Sequence, residues 1–203
     1  TMKIVSALLT SAVFASAAAS AQPVNAPAPT AGVKAFLDVL NSGNGKLMEQ
    51  MSPAEARQIL IGAQQGVVLP PAQVSDKTIQ IKGQSIKLKI VKPENTKGTL
   101  PVFMFFHGGG WVLGDFPTHE RLIRDLVRES GAAAVYVDYT PSPESHFPVA
   151  IDQAYEATKW VAEHGKEIGV DGTRLGLVGN SVGGNMVAAV ALQAKQFGGP
   201  KIR

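Results

Sequence analysis

Hydrophobic and polar positions change their spacing several times along this chain, and each change marks an element. An apolar run from Ile4 to Ala19 follows Met2-Lys3 and closes on Ala19-Ser20-Ala21, a small-x-small site of the kind that ends an export leader. The run is short for a spanning helix and rich in Ala and Ser. Residues 1–21 therefore read as a cleaved signal peptide, which implies a secreted or periplasmic protein with no stable membrane anchor. Residues 22–32 hold Pro23, Pro27 and Pro29, cannot keep a regular helix, and read as a tether. Val33, Phe36, Leu37 and Leu40 then recur at helical spacing. Ser52-Pro53 opens a second short helix that is expected to reach about Gln65, with Ser52 as N-cap and Gly66 as stop. Residues 33–74 thus form an N-terminal helical segment.

From there the period shortens to two. Thr78–Ile81 and Ile86–Ile90 alternate apolar and polar around Lys82-Gly83-Gln84-Ser85, an antiparallel hairpin signal. Alternation stops at Val102–Phe106, a continuous apolar run expected of a strand covered on both faces. A helix is predicted from about His119 to Ser130, with Leu122, Ile123, Leu126 and Val127 on one face and Gly131 ending it. Ala132–Val137 reads as a buried strand, and Ile151, Ala154, Tyr155, Thr158 and Val161 trace a helix closing at His164-Gly165. Arg174–Gly179 supplies a further strand and Val182–Phe197 a last helix, stopped by Gly198-Gly199-Pro200. Two strands followed by β-α-β-α-β-α predict an α/β fold with a mostly parallel sheet and helices on both faces. Residues 75–203 form this core.

Composition narrows the possibilities. With 203 residues, 45% of them hydrophobic, the chain can bury one sizeable core. The formal charge of +3 is spread without any run of like charges, so nucleic acid is not an expected partner. The absence of cysteine excludes disulfides, Cys-ligated zinc and a thiol nucleophile. No His-x-x-x-His or Asp/His cluster has metal-ligand spacing, and no cofactor is implied.

The chemistry lies in two glycine-rich turns. Gly179-Asn180-Ser181-Val182-Gly183 follows a buried strand and opens a helix, the setting in which a G-x-S-x-G turn lifts a serine hydroxyl above the sheet. A hydroxyl is a poor nucleophile at neutral pH and needs a base beside it and donors for the oxyanion formed on attack. His107-Gly108-Gly109-Gly110-Trp111 comes directly after the strand ending at Phe106, where a loop of backbone N–H groups could face the serine. Ser181 is therefore the candidate nucleophile. Trp111 and Phe116 either line a pocket beside the loop or pack in the core.

These motifs resemble the hormone-sensitive-lipase family of α/β-hydrolases, carboxylesterases and lipases acting on acyl esters. The resemblance covers about residues 75–197 and reads as the N-terminal portion of such a protein. It implies a small-molecule ester substrate and an acyl-enzyme. It also implies oxyanion donors at the N–H groups of Gly109, Gly110 and Val182, a loop-bracing role for His107, and a cap formed by the helices between Val33 and Gly66. Val137-Asp138-Tyr139 with Pro143-Glu144 and Phe147-Pro148 is similar to the family's segment after its fourth strand.

Three features depart from the family. Asn180 replaces its usual aspartate, and Thr140-Pro141-Ser142 stands where Arg-Leu-Ala is typical. The third is larger: such hydrolases order their triad as Ser, then Asp or Glu, then His, and no Asp, Glu or His follows Ser181. His119, His146 and His164 are upstream and read as surface or capping residues. The chain is thus expected to lack a triad acid and base, to be incomplete at its C-terminus, and to turn over little substrate alone. A non-catalytic binding or interaction protein on a hydrolase-like scaffold is the alternative.

Overall fold

Residues 27–41, 46 and 48–203 are described by the computed structural model; the signal peptide expected at residues 1–21 lies outside them. The chain divides into two units, Thr1–Gly45 and Lys46–Arg203. In the first, α1 (Ala31–Asn41) carries the one-turn ion pair Lys34–Asp38 at 2.7 Å. Such an exposed pair stabilises a helix only slightly. No described helix is long and apolar enough to cross a membrane.

The second unit opens with α2 (Pro53–Gly62). Its start follows from Ser52: the hydroxyl accepts from the Glu55 N–H at 3.2 Å, and the Glu55 carboxylate accepts from the Ser52 N–H at 2.7 Å. This reciprocal box satisfies two N–H groups that the helix cannot. The helix stops short of Gln65 because the next turn tightens, the N–H groups of Gln64 and Gln65 reaching back only three residues to Ile61 and Gly62.

Strands β1 (Gln73–Ile81) and β2 (Gln84–Lys92) meet at a two-residue turn, Lys82-Gly83, with φ values of 50° and 78°. Two positive φ values are what a type I′ hairpin requires. The strands outrun their alternating segments because most side chains of β1 lie in water, so polar residues there carry no period. Helix α3 (Phe116–Ser130) starts three residues before His119, since Asp115 caps it by accepting from the Thr118 N–H at 2.9 Å. Within it Ile123 and Val127 are buried, whereas Leu122, expected beside them, is exposed. The remaining elements are β3 (Leu100–Phe106), β4 (Ala133–Asp138), α4 (Val149–His164), β5 (Val170–Gly179) and α5 (Val182–Gln196).

The strands order as β1-β2-β4-β3-β5. β1 pairs with β2 and β2 with β4 antiparallel, while β3 lies parallel to β4 and to β5. The expectation of a mostly parallel sheet is thus corrected. The sheet is mixed, and its antiparallel ladders join more residues than its parallel ones, because the long hairpin docks through β2 on β4 instead of standing apart. After α5 the chain returns to the outer edge of β5, where the Arg203 N–H donates to the Leu175 carbonyl at 3.0 Å and its guanidinium to that of Thr173 at 3.2 Å.

Burial on two faces explains the unbroken apolar run in β3. Val102, Met104 and Phe106 point to the cluster under α4 and α5, with Ala157, Val161, Met186 and Val190. Phe103 and Phe105 point to the opposite cluster, with Ile123 and Val127 of α3. A strand inside such a sandwich has no polar side to show.

Candidate functional site

Both glycine turns lie at the C-terminal ends of neighbouring strands, β3 and β5, which the parallel pairing of Phe106 with Gly179 brings level. At the end of β5 the chain reverses sharply into α5. Ser181 carries the turn at φ 54° and ψ −124°, a region that a residue with a side chain adopts only under strain. Its side chain makes no capping hydrogen bond to the helix. The flanking glycines are dictated by contact. A Cβ at Gly179 would collide with the Gly183 carbonyl, and one at Gly183 with the Phe106 carbonyl. Val182, the first residue of α5, has an N–H that precedes the intrahelical ladder and so has no helical acceptor.

The loop after β3 folds over this turn. A Cβ at Gly108 would lie 2.8 Å from the Asn180 carbonyl oxygen and 3.1 Å from Ser181 Cβ, so the two backbones are in contact. Gly109, at φ 121°, and Gly110, at φ 63°, adopt conformations open mainly to glycine. The Gly109 carbonyl accepts from Val112 at 3.1 Å and Leu113 at 2.8 Å. Among the described backbone bonds outside helices and strands, the N–H groups of Gly109 and Gly110 have no acceptor. A helix start, these loop N–H groups and a bare hydroxyl together make a place where negative charge on a bound oxygen is favoured.

His107 holds the loop from below. Its ring stacks on Tyr139 at 4.2 Å and 4°, its Nδ1–H donates to the Gly108 carbonyl at 2.8 Å, and the Tyr139 hydroxyl donates to the His107 carbonyl at 2.9 Å. Burial pushes the imidazole down to about 4 from an ordinary 6.5. The ring is therefore neutral at physiological pH and fixed as a donor. The sign of the linkage follows: an unfolded chain takes up this proton near 6.5 and the folded one only near about 4, so stability is complete above 6.5 and falls as pH drops through that window. Urea midpoints measured between pH 7.5 and 4.5 should decline accordingly, and the decline should shrink in His107→Gln.

Sequence reasoning missed the place of His119. It is half-buried rather than on the surface, and its Nε2 accepts from the Asn180 amide at 3.3 Å, while Asn180 Oδ1 accepts from the Gly108 N–H at 3.0 Å. The signal was the proximity of Asp115-Phe116-Pro117-Thr118, a helix cap that turns the first exposed face of α3 back toward the loop. The other two histidines are elsewhere. His164 stacks on Trp160 and pairs with Glu167 at 3.2 Å. His146 lines a cavity of about 200 Å³ with Gly110, Trp111, Phe147 and Ile151. Trp111 thus borders a cavity, whereas Phe116 packs edge-on against Tyr136 at 5.3 Å in the core.

Helix α2 reaches the same region. Leu60 and Gln64 share a cleft of about 240 Å³ with Gly108, Gly109, Thr118, His119 and Asn180. Arg57 anchors the helix, donating to the Val112 carbonyl at 2.7 Å, the Ser142 carbonyl at 2.9 Å and both Glu144 oxygens at 2.6 and 2.8 Å. A planar guanidinium suits such a fork. The bonds from Arg57 hold the Glu144 carboxyl down at about 2, below its ordinary 4.5. The ionic part of the anchor is therefore complete above 4.5 and fades as pH falls through about 2. Amide exchange in α2 should accelerate only in that acid range in the wild type, and already at neutral pH in Arg57→Met.

With this geometry established, comparison with known proteins is direct. The family model of the alpha/beta hydrolase fold matches residues 103–203. The sequence suggested the N-terminal portion of its family over about residues 75–197. That placement is corrected, because the match occupies the C-terminal half of this chain. A thermostable esterase of Pseudomonas putida has a crystal structure that superposes with a TM-score of 0.84 at 64% identity, covering 88% of this chain and 57% of that one. The esterase LipI of Mycobacterium tuberculosis is 39% identical over 137 residues, 66% of this chain and 43% of that protein. The ethyl acetate hydrolase of Pseudomonas putida is 31% identical over 126 residues, 61% of this chain and 40% of that protein. The chain spans about half the length of the relatives it matches. The matched family model and these esterase relatives give the chain the α/β-hydrolase fold, with the strained serine turn and the glycine loop folded on it at the ends of β5 and β3.

Proposed function

We propose that Ser181 attacks the carbonyl of a small carboxylic ester and that the N–H groups of Gly109, Gly110 and Val182 receive the oxyanion. The observation that supports this reading is the contact of the Gly108 backbone with the serine turn, in a loop whose Gly109 and Gly110 N–H groups have no described backbone acceptor. Attack forms the bond from Ser181 Oγ to the acyl carbon, the hydroxyl proton passes to a base, and the alcohol leaves with a proton to give an acyl-enzyme that water then hydrolyses. His107, neutral and engaged with Gly108 and Tyr139, braces the loop and is not that base. In this reading the chain contributes the nucleophile and the oxyanion donors. The name of the ethyl acetate hydrolase supports a short acyl group and a short alcohol. We read α2 as part of a cap over the cleft, and residues 1–21 as a signal for export.

A fluorophosphonate probe tests the proposal, since it captures an activated serine without requiring turnover. Mass spectrometry should find the adduct on Ser181, with p-nitrophenyl acetate competing for it. A folded protein that takes no label at Ser181 would overturn the hydrolase reading and favour the binding-protein alternative.

A further inference from the structure

We propose that Asn180 and His119 are positioning residues, a side-chain pair that ties the serine turn to the glycine loop and fixes the direction of its N–H groups. The inference rests on the reading of Ser181 as nucleophile but is carried by separate contacts. Asn180 sits between the two motifs: its Oδ1 accepts from the Gly108 N–H at 3.0 Å, and its Nδ2 donates to His119 Nε2 at 3.3 Å. An amide has one accepting end and one donating end. His119 decides which end faces the loop.

For Nε2 to accept, the ring must be neutral with its proton on Nδ1, and the surroundings supply that arrangement. Nδ1 faces the Asp115 carbonyl at 3.2 Å and Thr118 Oγ1 at 2.9 Å. The charged and titratable groups facing the ring are the Asp115 carboxylate from the start of α3, which favours a proton, and the His107 ring at 5.5 Å from the end of β3, which is neutral. Phe105 beneath it at 6.1 Å is apolar, and Leu60 and Gln64 across the cleft carry no charge. Burial outweighs Asp115 and lowers the affinity of His119 for a proton.

Protonation would turn Nε2 into a donor pointing at a donor. The Asn180 amide must then rotate, offering Oδ1 to His119 and its NH₂ to the Gly108 N–H, and the loop loses its acceptor. A carboxylate at position 180 behaves differently, because it can accept from Gly108 and from a protonated His119 together. Asparagine therefore couples the loop to a neutral histidine, where aspartate would couple it to a charged one.

The test follows the Gly108 amide and the His119 ring by NMR in the isotope-labelled full chain, beside the rate of fluorophosphonate labelling across pH. In the wild type the Gly108 amide should shift with the His119 midpoint, and labelling should slow about tenfold as His119 gains its proton, since loop donors displaced from the oxyanion lose much of their effect. Asn180→Asp should raise the His119 midpoint by about one unit or more and carry the break in labelling with it. His119→Gln, whose amide can accept the same bond without titrating, should remove the break. A Gly108 amide indifferent to the His119 titration, or a break that stays in place in Asn180→Asp, overturns the proposal. Absence of labelling counts against Ser181 as nucleophile instead, and the NMR coupling then still decides the fate of the pair.

Discussion

Ser181→Gly is expected to abolish covalent capture by a fluorophosphonate and at the same time to make the protein more stable. The first outcome follows from loss of the hydroxyl; in serine hydrolases removal of the nucleophile costs about 10⁶ in kcat. The second follows from the backbone. Ser181 is held at φ 54° and ψ −124°, and a side chain in such a region costs roughly 1–3 kcal/mol. Glycine removes most of that strain and gives back about 0.5–1 kcal/mol through the larger entropy of its unfolded chain, so a net gain of roughly 1–2 kcal/mol is expected. Urea denaturation beside mass-spectrometric labelling checks both. A variant that loses reactivity without gaining stability would show that the serine turn stores no strain.

The second large effect separates two adjacent glycines of the same motif. Gly183→Ala places a Cβ against the Phe106 carbonyl, with the Phe106 carbonyl carbon at 2.8 Å and that of His107 at 3.1 Å. These are backbone atoms at the end of a buried strand and the start of the braced loop after it, and they cannot step aside as a side chain could. The variant is expected to lose about 3 kcal/mol, the upper part of the range for overpacking, and to push the glycine loop away from Ser181. Gly184→Ala meets only the Gly179 carbonyl oxygen at 3.5 Å, an ordinary contact. There the gain in helix propensity, up to about 1 kcal/mol, should prevail. Opposite signs in the two urea midpoints are the expected result; equal losses would mean that α5 does not pack on β3 as described.

Much of the site was legible because its parts are local. The strand before each glycine turn shows as an apolar run, and the small residues at positions 179 and 183 announce a backbone approach. Ser52-Pro53 spells a helix start within two residues. What stayed hidden depends on residues distant in the chain. The pairing of Lys87 with Asp138 and of Val91 with Ala134 makes the sheet mixed, and no period in either strand reports its neighbour. The cap at Asp115 and the earlier start of α3 were not read from the sequence; they turn His119 toward Asn180 and leave Leu122 in water.

The sequence by itself therefore determined most of the elements and the two glycine turns, since period, capping and steric permission act over a few residues. Only the tertiary structure decided the strand order, the neutral and braced state of His107, the anchoring of α2 through Arg57, and the link from His119 through Asn180 to Gly108. Each of these depends on burial or on a bond between residues far apart in the chain, and those appear only when the chain is folded. Ser181 belongs to both: its motif is read from five residues, but its strain and its place beneath the loop come from the packing of α5 against β3.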